Sequence, residues 1–260
     1  VTEPAQDAQS TLDRVDLIFD ALEEHGFLTL SEVVRITDIP RSTAHRLLSR
    51  MVQKRWLLRV GTRYELGVRI FELGSEGVRN HWFHRIAYPR LNELQLRTGY
   101  VVHMAYLDGA DAVYWERIGS SPFGSALTTR IGARRPAHRT ALGKVLLAAE
   151  PPELLDSAAF ANLKPGTPLT VTDRDALRVE IARVRAEGIA YDRGESLVGI
   201  GCIAAPVLAG RASTSDGHTT TAAISVCAPV DKLHRAIAAA VREVAADITR
   251  TAGRNPMAGG

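Results

Sequence analysis

A proline set between two short amphipathic runs constrains this chain more than any other feature. In TLSEVVRITDIPRSTAHRLLSRMVQKRWLLRVGTR, from Thr29 to Arg63, Pro40 pushes Ile39 out of the α region and so ends the first run. The missing N–H and fixed φ of Pro40 suit the opening of the second run. Ahead of the break, Thr29 and Glu32 have capping-box spacing, and Leu30, Val33 and Val34 form a short apolar stripe. Beyond it, Ala44, Leu47, Leu48, Met51 and Val52 recur at i, i+3, i+4, i+7 and i+8, one buried helical face. Leu57–Val60 and Arg63–Leu66, separated by Gly61-Thr62, then predict a hairpin. Helix, tight turn, helix and hairpin is the order of a winged helix-turn-helix.

Charge adds a function to that shape. Residues 41–63 hold seven Arg or Lys and no acid, whereas residues 1–38 hold nine Asp or Glu against Arg14 and Arg35. The face of the second helix opposite its apolar stripe carries Arg41, Ser42, Thr43, His45, Arg46 and Arg50, and the hairpin puts Arg59 and Arg63 at its tip. Clustered cations raise affinity for a duplex through counterion release, and Ser, Thr, His and Arg near the helix start can reach base edges. Those eight residues, with Thr29 at the start of the first helix, are the candidate DNA contacts. A helical hairpin with a solvated basic face is the alternative, and the following wing argues against it.

The motif SEVVRITDIPRSTAHRLLSRMV followed by YELG resembles the DNA-binding domain of the isocitrate lyase regulator (IclR) family of bacterial transcription factors. One departure stands out. That family usually ends the recognition helix in glycine before the wing, where this chain has Lys54-Arg55-Trp56, and a left-handed C-cap is costlier without glycine.

The chain has 260 residues, 45% of them apolar, enough for two modest domains with separate cores. A net charge of +3 does not by itself argue for nucleic acid; the clustering does. No apolar run reaches the ~18 residues of a membrane span, and VTEPAQDAQS lacks the regions of a signal peptide, so the expected location is cytoplasmic. Cys202 and Cys227 lie in apolar, strand-like runs; two buried free thiols are the plain reading, ahead of a disulfide or a metal pair. The expected layout is a disordered tail at residues 1–9, the winged helix-turn-helix at 10–67, a linker helix at 68–81, a larger domain at 82–252 and a tail at 253–260. Ser10–Glu24 predicts a helix capped by Ser10 or Thr11 and stopped by Gly26. The apolar face of the linker, around Phe71, suits either a dimer contact or packing within one chain.

In the larger domain a helix is expected over Ile86–Thr98, with Pro89 confined to its first turn. Strands follow at Tyr100–Leu107, Ala112–Ile118 and Ser125–Ile131, helices at Arg139–Ala149, Pro152–Phe160 and Asp173–Glu187, and strands at Ala190–Arg193, Cys202–Leu208 and Thr221–Cys227. The polar segment 210–220 reads as a loop and Lys232–Thr249 as a closing helix. Strands bracketed by helices imply an α+β domain on one antiparallel sheet. Arg130, Arg134, Arg135, Arg139 and Lys144 surround a helix start near Thr140, with no acid between Arg117 and Glu150. Such a start is a candidate anion site, the alternative being a solvated basic loop.

RPAHRTALGK, G-x-x-x-D-x-G-E before GCIAAPV, and AISVCAP are similar to the effector-binding domain of the IclR family, so the resemblance covers nearly the whole chain. It implies a GAF-like fold, a homodimer or homotetramer, double-stranded operator DNA as partner, and a small organic acid or aromatic metabolite as effector. The implied pocket wall is Leu127, Arg135, Ala141, Leu142, Asp192, Ile200, Cys202, Ser225 and Cys227. Cys227 stands where serine is frequent and Arg135 where an apolar residue is common. Asp192 would then bond backbone amides or an effector hydroxyl, or turn towards Arg193.

Catalysis has little support. His138 near Thr140, with Asp192 and Glu195, is the one conceivable trio, and its spacing demands nothing. There is no nucleophile elbow, phosphate-binding Gly-rich loop or HExxH, and His103, His138, Cys202 and Cys227 lack the close spacing of a metal set. No cofactor, no metal and no membrane partner is expected. The reading is a ligand-responsive regulator, not an enzyme; the alternative body is a purely oligomerising one.

Overall fold

The computed structural model describes residues 10–119, 127, 129–213 and 219–254, which form two compact units divided between His81 and Trp82. The tail expected at residues 1–9 and residues 255–260 of the tail expected at 253–260 lie outside the described residues, as do parts of the expected strand at 125–131 and of the loop at 210–220; Gly253 is the last residue of the closing helix.

The first unit runs α1 (Thr11–His25), β1 (Phe27–Thr29), α2 (Leu30–Thr37), α3 (Arg41–Gln53), β2 (Leu57–Val60), β3 (Arg63–Leu66) and α4 (Val68–Asn80). Capping boxes open α1, through Ser10 and Asp13, and α2, through Thr29 and Glu32. Pro40 stands one residue earlier than expected, as the N-cap of α3 rather than inside it, with its carbonyl taking the Ala44 N–H. Ile18, Leu22, Val33, Ile39, Leu48, Met51, Leu57 and Tyr64 close the core. The sheet order is β1-β3-β2. β1 was not legible in the sequence: three residues are too few to show alternation, and they become a strand only because β3 offers them a free edge.

The junction of α3 and the wing resolves the missing glycine. The Trp56 N–H bonds the Met51 carbonyl and the Arg55 N–H the Val52 carbonyl, the double closure of a Schellman ending, with Arg55 itself at φ +61°. The Arg55 guanidinium pairs with Glu72 of α4 at 2.8 Å. Gly67 opens α4 against the same corner, where a Cβ would stand 2.3 Å from the Arg55 carbonyl oxygen.

The second unit runs α5 (Trp82–Thr98), β4 (Val101–Asp108), β5 (Asp111–Ile118), β6 (Arg134–Pro136), α6 (Ala141–Ala149), α7 (Arg174–Glu187), β7 (Ala190–Leu197), β8 (Ile200–Ser213), β9 (Thr219–Pro229) and α8 (Arg235–Gly253). Its antiparallel sheet has the order β6-β5-β4-β9-β8-β7. One face of β4, β8 and β9, with Val102, Met104, Ile203, Ile224 and Val226, packs on α5 and α8. The other presents Ala105, Ala190, Ala204 and Ala223 to α6 and α7. This is the α+β, GAF-like architecture expected, a single sheet between helices.

Several boundaries move. α5 starts at Trp82, so Pro89 sits in its interior, not its first turn. Pro89 and Arg85, whose carbonyl loses its partner, both face solvent, where water can replace the missing bond. The strand expected at Ser125–Ile131 is not formed at Thr129–Ile131; the strand that pairs with β5 is Arg134–Pro136. Pro152–Phe160 is two 3-10 turns rather than a helix, and α8 begins at Arg235 after another. The expected loop narrows, because strand pairing continues to Ser213 and resumes at Thr219.

Arg55 supplies a test of the α3 corner. A non-glycine residue in the left-handed region costs about 1–2 kcal/mol, whereas an exposed ion pair contributes about 0.2–1 kcal/mol. Arg55→Gly is therefore expected to stabilise the first unit by about 0.5–1 kcal/mol despite losing the Glu72 pair, and Arg55→Ala to destabilise it slightly. Urea denaturation of both variants measures the difference; equal destabilisation by the two would remove the backbone explanation.

Candidate functional site

Two surfaces bring together the residues singled out above. The first lies on α3 and the wing. Arg41, Ser42, His45, Arg46 and Arg50 are exposed and Thr43 is half-buried, because their positions alternate with Ala44, Leu47, Leu48 and Met51, which turn inward. No ion pair with a described residue engages Arg41, Arg46, Arg50, Arg59 or Arg63. Arg41 instead donates to the Ser31 hydroxyl at 3.2 Å, and Arg59 to the Gly61 carbonyl at 3.0 Å. The Arg63 guanidinium lies 4.3 Å from the centre of the Phe27 ring, which holds one wing cation beside β1. Thr29 is committed to its cap: its hydroxyl accepts the Glu32 N–H and donates to the Glu32 carboxylate.

The second is a cavity of about 260 Å³ in the larger unit. All nine pocket positions implied by the family resemblance line it. Sheet register builds the floor. Asp192, Cys202, Cys227 and Val101 stand opposite one another across β7, β8, β9 and β4, and the next row on that face is Ala190, Ala204, Ser225 and His103. Small residues in the second row leave room above the sheet. The start of α6 forms the facing wall. Thr140 caps it by accepting the Gly143 N–H at 2.9 Å, so the amides of Ala141 and Leu142 have no intrahelical acceptor. Gly143 lets α6 sit that close, since a Cβ there would stand 2.2 Å from the Ala137 carbonyl oxygen. Leu127, Ile200 and Arg135 complete the predicted wall.

Sequence reasoning did not place His103, Tyr114, Thr129, Ser196 and Leu197 in the pocket, and they also line the cavity, as does Arg139 of the basic run. His103 and Tyr114 could have been found by alternation along β4 and β5, had the strand order been known. Burial pushes His103 down to about 3, with Arg117 adding to the effect, so the imidazole is neutral. It shares a hydrogen bond with the Thr129 hydroxyl at 2.9 Å and meets the Tyr114 ring edge-on. The Tyr114 hydroxyl is pushed up to about 12 by burial, with Arg135 pulling it down and Asp192 pushing it up. One Asp192 oxygen accepts the amides of Gly194 and Glu195, at 3.0 and 2.7 Å. Burial raises Asp192 to about 6, with Glu195 adding to the effect and the Glu195 and Ser196 amides and Lys144 opposing it. Arg193 does not reach towards Asp192; it lies over the Tyr191 ring.

Three expectations are corrected here. The cations around Thr140 do not act together: Arg134 pairs with Asp108 and Asp111 at the surface, and Lys144 is wholly buried among Glu195, Glu180 and the Tyr191 carbonyl. Only Arg135 and Arg139 of that run line the cavity. Cys202 and Cys227 are not free thiols but a disulfide, because register sets them directly opposite with Cα atoms 4.2 Å apart. His138 faces the Lys164 carbonyl at 3.1 Å and lines no part of the cavity, so the conceivable trio with Asp192 and Glu195 is not assembled. Among the described residues no group of three or more His, Cys, Asp or Glu is placed to hold a metal.

Comparison with known proteins assigns a family to both units. Residues 11–61 match the IclR helix-turn-helix domain, and residues 77–250 match the family described as bacterial transcriptional regulator IclR C-terminal. The chain is 32% identical to the HTH-type transcriptional regulator XynR of Escherichia coli K12 over 208 residues, 78% of this chain and 80% of XynR. It is 29% identical to the HTH-type transcriptional repressor AllR of Salmonella typhi over 97% of this chain and 93% of AllR. Among solved structures, an IclR homologue from Microbacterium hydrocarbonoxydans complexed with 4-hydroxybenzoate superposes with a TM-score of 0.77 at 28% identity, covering 94% of this chain and 99% of that one.

The Lys144 cluster yields a stability prediction. Lys144→Met leaves Glu195 and Glu180 facing each other without their cation, and breaking a buried pair from one side costs about 3–5 kcal/mol. The double change Lys144→Met with Glu195→Leu should recover most of that loss. Denaturant titration of the three proteins decides it; a cost for Lys144→Met below about 1 kcal/mol, the size of an exposed pair, would show the cluster to be dispensable.

Proposed function

We propose, because this chain belongs to the IclR family of bacterial transcriptional regulators, that its larger unit is a sensor in which a small organic acid occupies the cavity and changes the affinity of the helix-turn-helix for operator DNA. The relatives are named as regulators and repressors, and the chain is a DNA-binding regulator, not an enzyme. The observation that carries the sensor reading is the Ser225 hydroxyl. It is fully buried in the cavity floor and has no hydrogen-bond partner among the described residues. An unpaired buried hydroxyl costs about 1–3 kcal/mol, a cost that a bound polar ligand removes.

The lining also orders a ligand by polarity. The Ala141 and Leu142 amides and Arg135 supply donors for a carboxylate, Leu127 and Ile200 hold a carbon skeleton, and the second Asp192 oxygen faces a hydroxyl. A hydroxy-acid such as 4-hydroxybenzoate, the ligand of the Microbacterium homologue, has that polarity and is the first probe to use. An effector shifts operator release only through its differential affinity for the DNA-bound and DNA-free states. Ser225→Ala and Arg135→Leu should each weaken effector binding several-fold by calorimetry while operator affinity without effector stays nearly intact. Unchanged effector affinity in both variants would place the ligand elsewhere.

Asp192 makes the response pH-dependent. An ionised carboxylate repels an anionic ligand, and a protonated one can donate to it. Affinity for a carboxylate should therefore rise as pH falls from 7.5 to 5.5, by about tenfold for each unit by which the ligand raises Asp192 further. Asp192→Asn should flatten the profile. The stability sign is the same. The folded value near 6 lies above the unfolded value of about 3.9, so the stabilisation is complete below about pH 4 and is lost as pH rises through about 6. A flat profile in the wild type would contradict the assignment.

On the DNA side, Arg46→Ala and Arg50→Ala should each cost about 1–3 kcal/mol of operator affinity if they touch bases, or lower the salt slope by about one if they touch phosphates. Binding to DNA selected by the wild-type chain from a random library, measured at two salt concentrations, distinguishes the two. A double variant that binds as the wild type does would remove α3 from the interface.

The active assembly is a homodimer or homotetramer, since one head covers only a short half-site. Phe71, 73% exposed, with Val68 one turn before it gives α4 an exposed apolar face, suited to a second copy. Among the described residues no helix is long and apolar enough to cross a membrane. Light scattering that returned a monomer mass with and without DNA would refute the assembly.

A further inference from the structure

The cavity floor carries a pair of sulfur atoms to which the contacts proposed above for an effector give no role. Cys202 and Cys227 occupy directly opposed positions on neighbouring antiparallel strands, with Cα atoms 4.2 Å apart, the close spacing of a non-hydrogen-bonded pair. The ladder on both sides holds that juxtaposition whether or not the sulfurs are bonded, so closing and opening the bond needs no change of register. Both side chains face the cavity. Cys227 is 3% exposed, whereas Cys202 is only half-buried and is the sulfur that a small reagent meets first. The helix-start amides of Ala141 and Leu142, together with Arg135 and Arg139, line the same space and favour a thiolate there. His103 Nδ1 lies 3.5 Å from the Cys227 sulfur, within hydrogen-bond reach of that thiol in the reduced protein. A DNA regulator works in the bacterial cytoplasm, where the thiol pool keeps cysteines reduced and a persisting disulfide is transient and signalling.

We propose that Cys202 and Cys227 are a reversible thiol–disulfide site through which a peroxide-class oxidant acts on the ligand cavity. In the forward direction the Cys202 thiolate attacks one peroxide oxygen, the O–O bond breaks, and hydroxide leaves and takes a proton as water. Cys202 is now a sulfenic acid. The Cys227 sulfur attacks it, the S–S bond forms, and a second water departs with the Cys227 proton. Two thiols have been oxidised by two electrons and one peroxide has become two waters. In the return direction an external dithiol attacks the bond, passes through a mixed disulfide, and leaves two cysteine thiols and its own disulfide. Oxidation removes the cavity's two thiol donors and ties β8 to β9 beside Ser225. The consequence for ligand rests on reading the cavity as the effector site.

The test starts from the full-length protein reduced with dithiothreitol and freed of it, then treated with hydrogen peroxide at one equivalent per chain. Intact mass should fall by the two hydrogens of one disulfide, unreduced digestion should yield the linked Cys202–Cys227 peptide, and fresh dithiothreitol should restore both thiols without denaturant. Cys202→Ser and Cys227→Ser should each lose the linked product. If either variant fails to fold, differential alkylation of the wild type gives the same answer. Retention of two thiols after peroxide overturns the proposal; so do direct gain of sulfinic oxygens and a bond that dithiothreitol cannot open in the folded protein. Thermal shift with 4-hydroxybenzoate and a panel of small carboxylates is then read on both forms. A compound that shifts the reduced form more than the oxidised one supports the coupling, and equal shifts overturn it. If no compound shifts either form although the disulfide forms and opens, the effector reading of the cavity fails and the thiol–disulfide site stands.

Discussion

The Lys144 ammonium is the interaction on which the larger unit depends. It is wholly buried, 2.6 Å from one Glu195 oxygen and 2.9 Å from Glu180, and it also bonds the Tyr191 carbonyl. A lone ammonium in that position would cost several kcal/mol, so the surrounding groups are obligatory rather than ornamental. The four groups come from three elements: Lys144 from α6, Glu180 from α7, Glu195 and Tyr191 from β7. Burial and Glu180 push Glu195 upward while Lys144 pulls it down, a balance that only holds with all three in place. The hydroxyls of Thr167 and Thr170 then donate to the Glu195 carbonyl and so hold the same turn of β7 from its other side.

What this cluster positions is the cavity. α6 is held by its lysine one turn beyond Thr140, and Ala141 and Leu142 at its start line the cavity. Gly143 allows the close approach to Ala137, and the alanines of the central strands leave volume that larger residues would fill. The same turn of β7 gives Asp192 its amide partners at Gly194 and Glu195. The charge cluster around Lys144 thus anchors α6 one turn from the helix start that lines the cavity. In the smaller unit the corresponding constraint is backbone rather than charge: Asp38 at φ +54° and Arg55 at φ +61° turn the chain at the two ends of the recognition helix.

Much of the smaller unit was legible because its signals are local. Capping pairs, Pro40, the period of Ala44 to Val52 and the absence of acids from Arg41 to Arg63 all lie within a few residues of what they determine. β1 escaped because three residues carry no period, and Pro89 was misplaced because the solvent exposure that tolerates it cannot be seen in composition. In the larger unit the strands and helices were mostly visible, yet their edges were not. The displacement of β6 to Arg134 follows from its pairing with β5, a partner more than twenty residues away.

By itself the sequence determined the DNA-reading head, the alternation of each strand and the order of the elements, because these rest on spacing along one chain. Likeness to a family then pointed to nine cavity residues that no spacing would have assembled. Tertiary structure alone decided which face each strand offered and what stood across from it. Lys144, read as one more cation near an anion site, is instead consumed by two carboxylates brought from α7 and β7. Cys202 and Cys227, read as separate thiols, stand opposite each other because β8 and β9 pair in a single register. The physical reason is common to both: an ion pair or a disulfide depends on separations of a few ångströms between residues 25 to 51 positions apart, and only the packed sheet sets those separations.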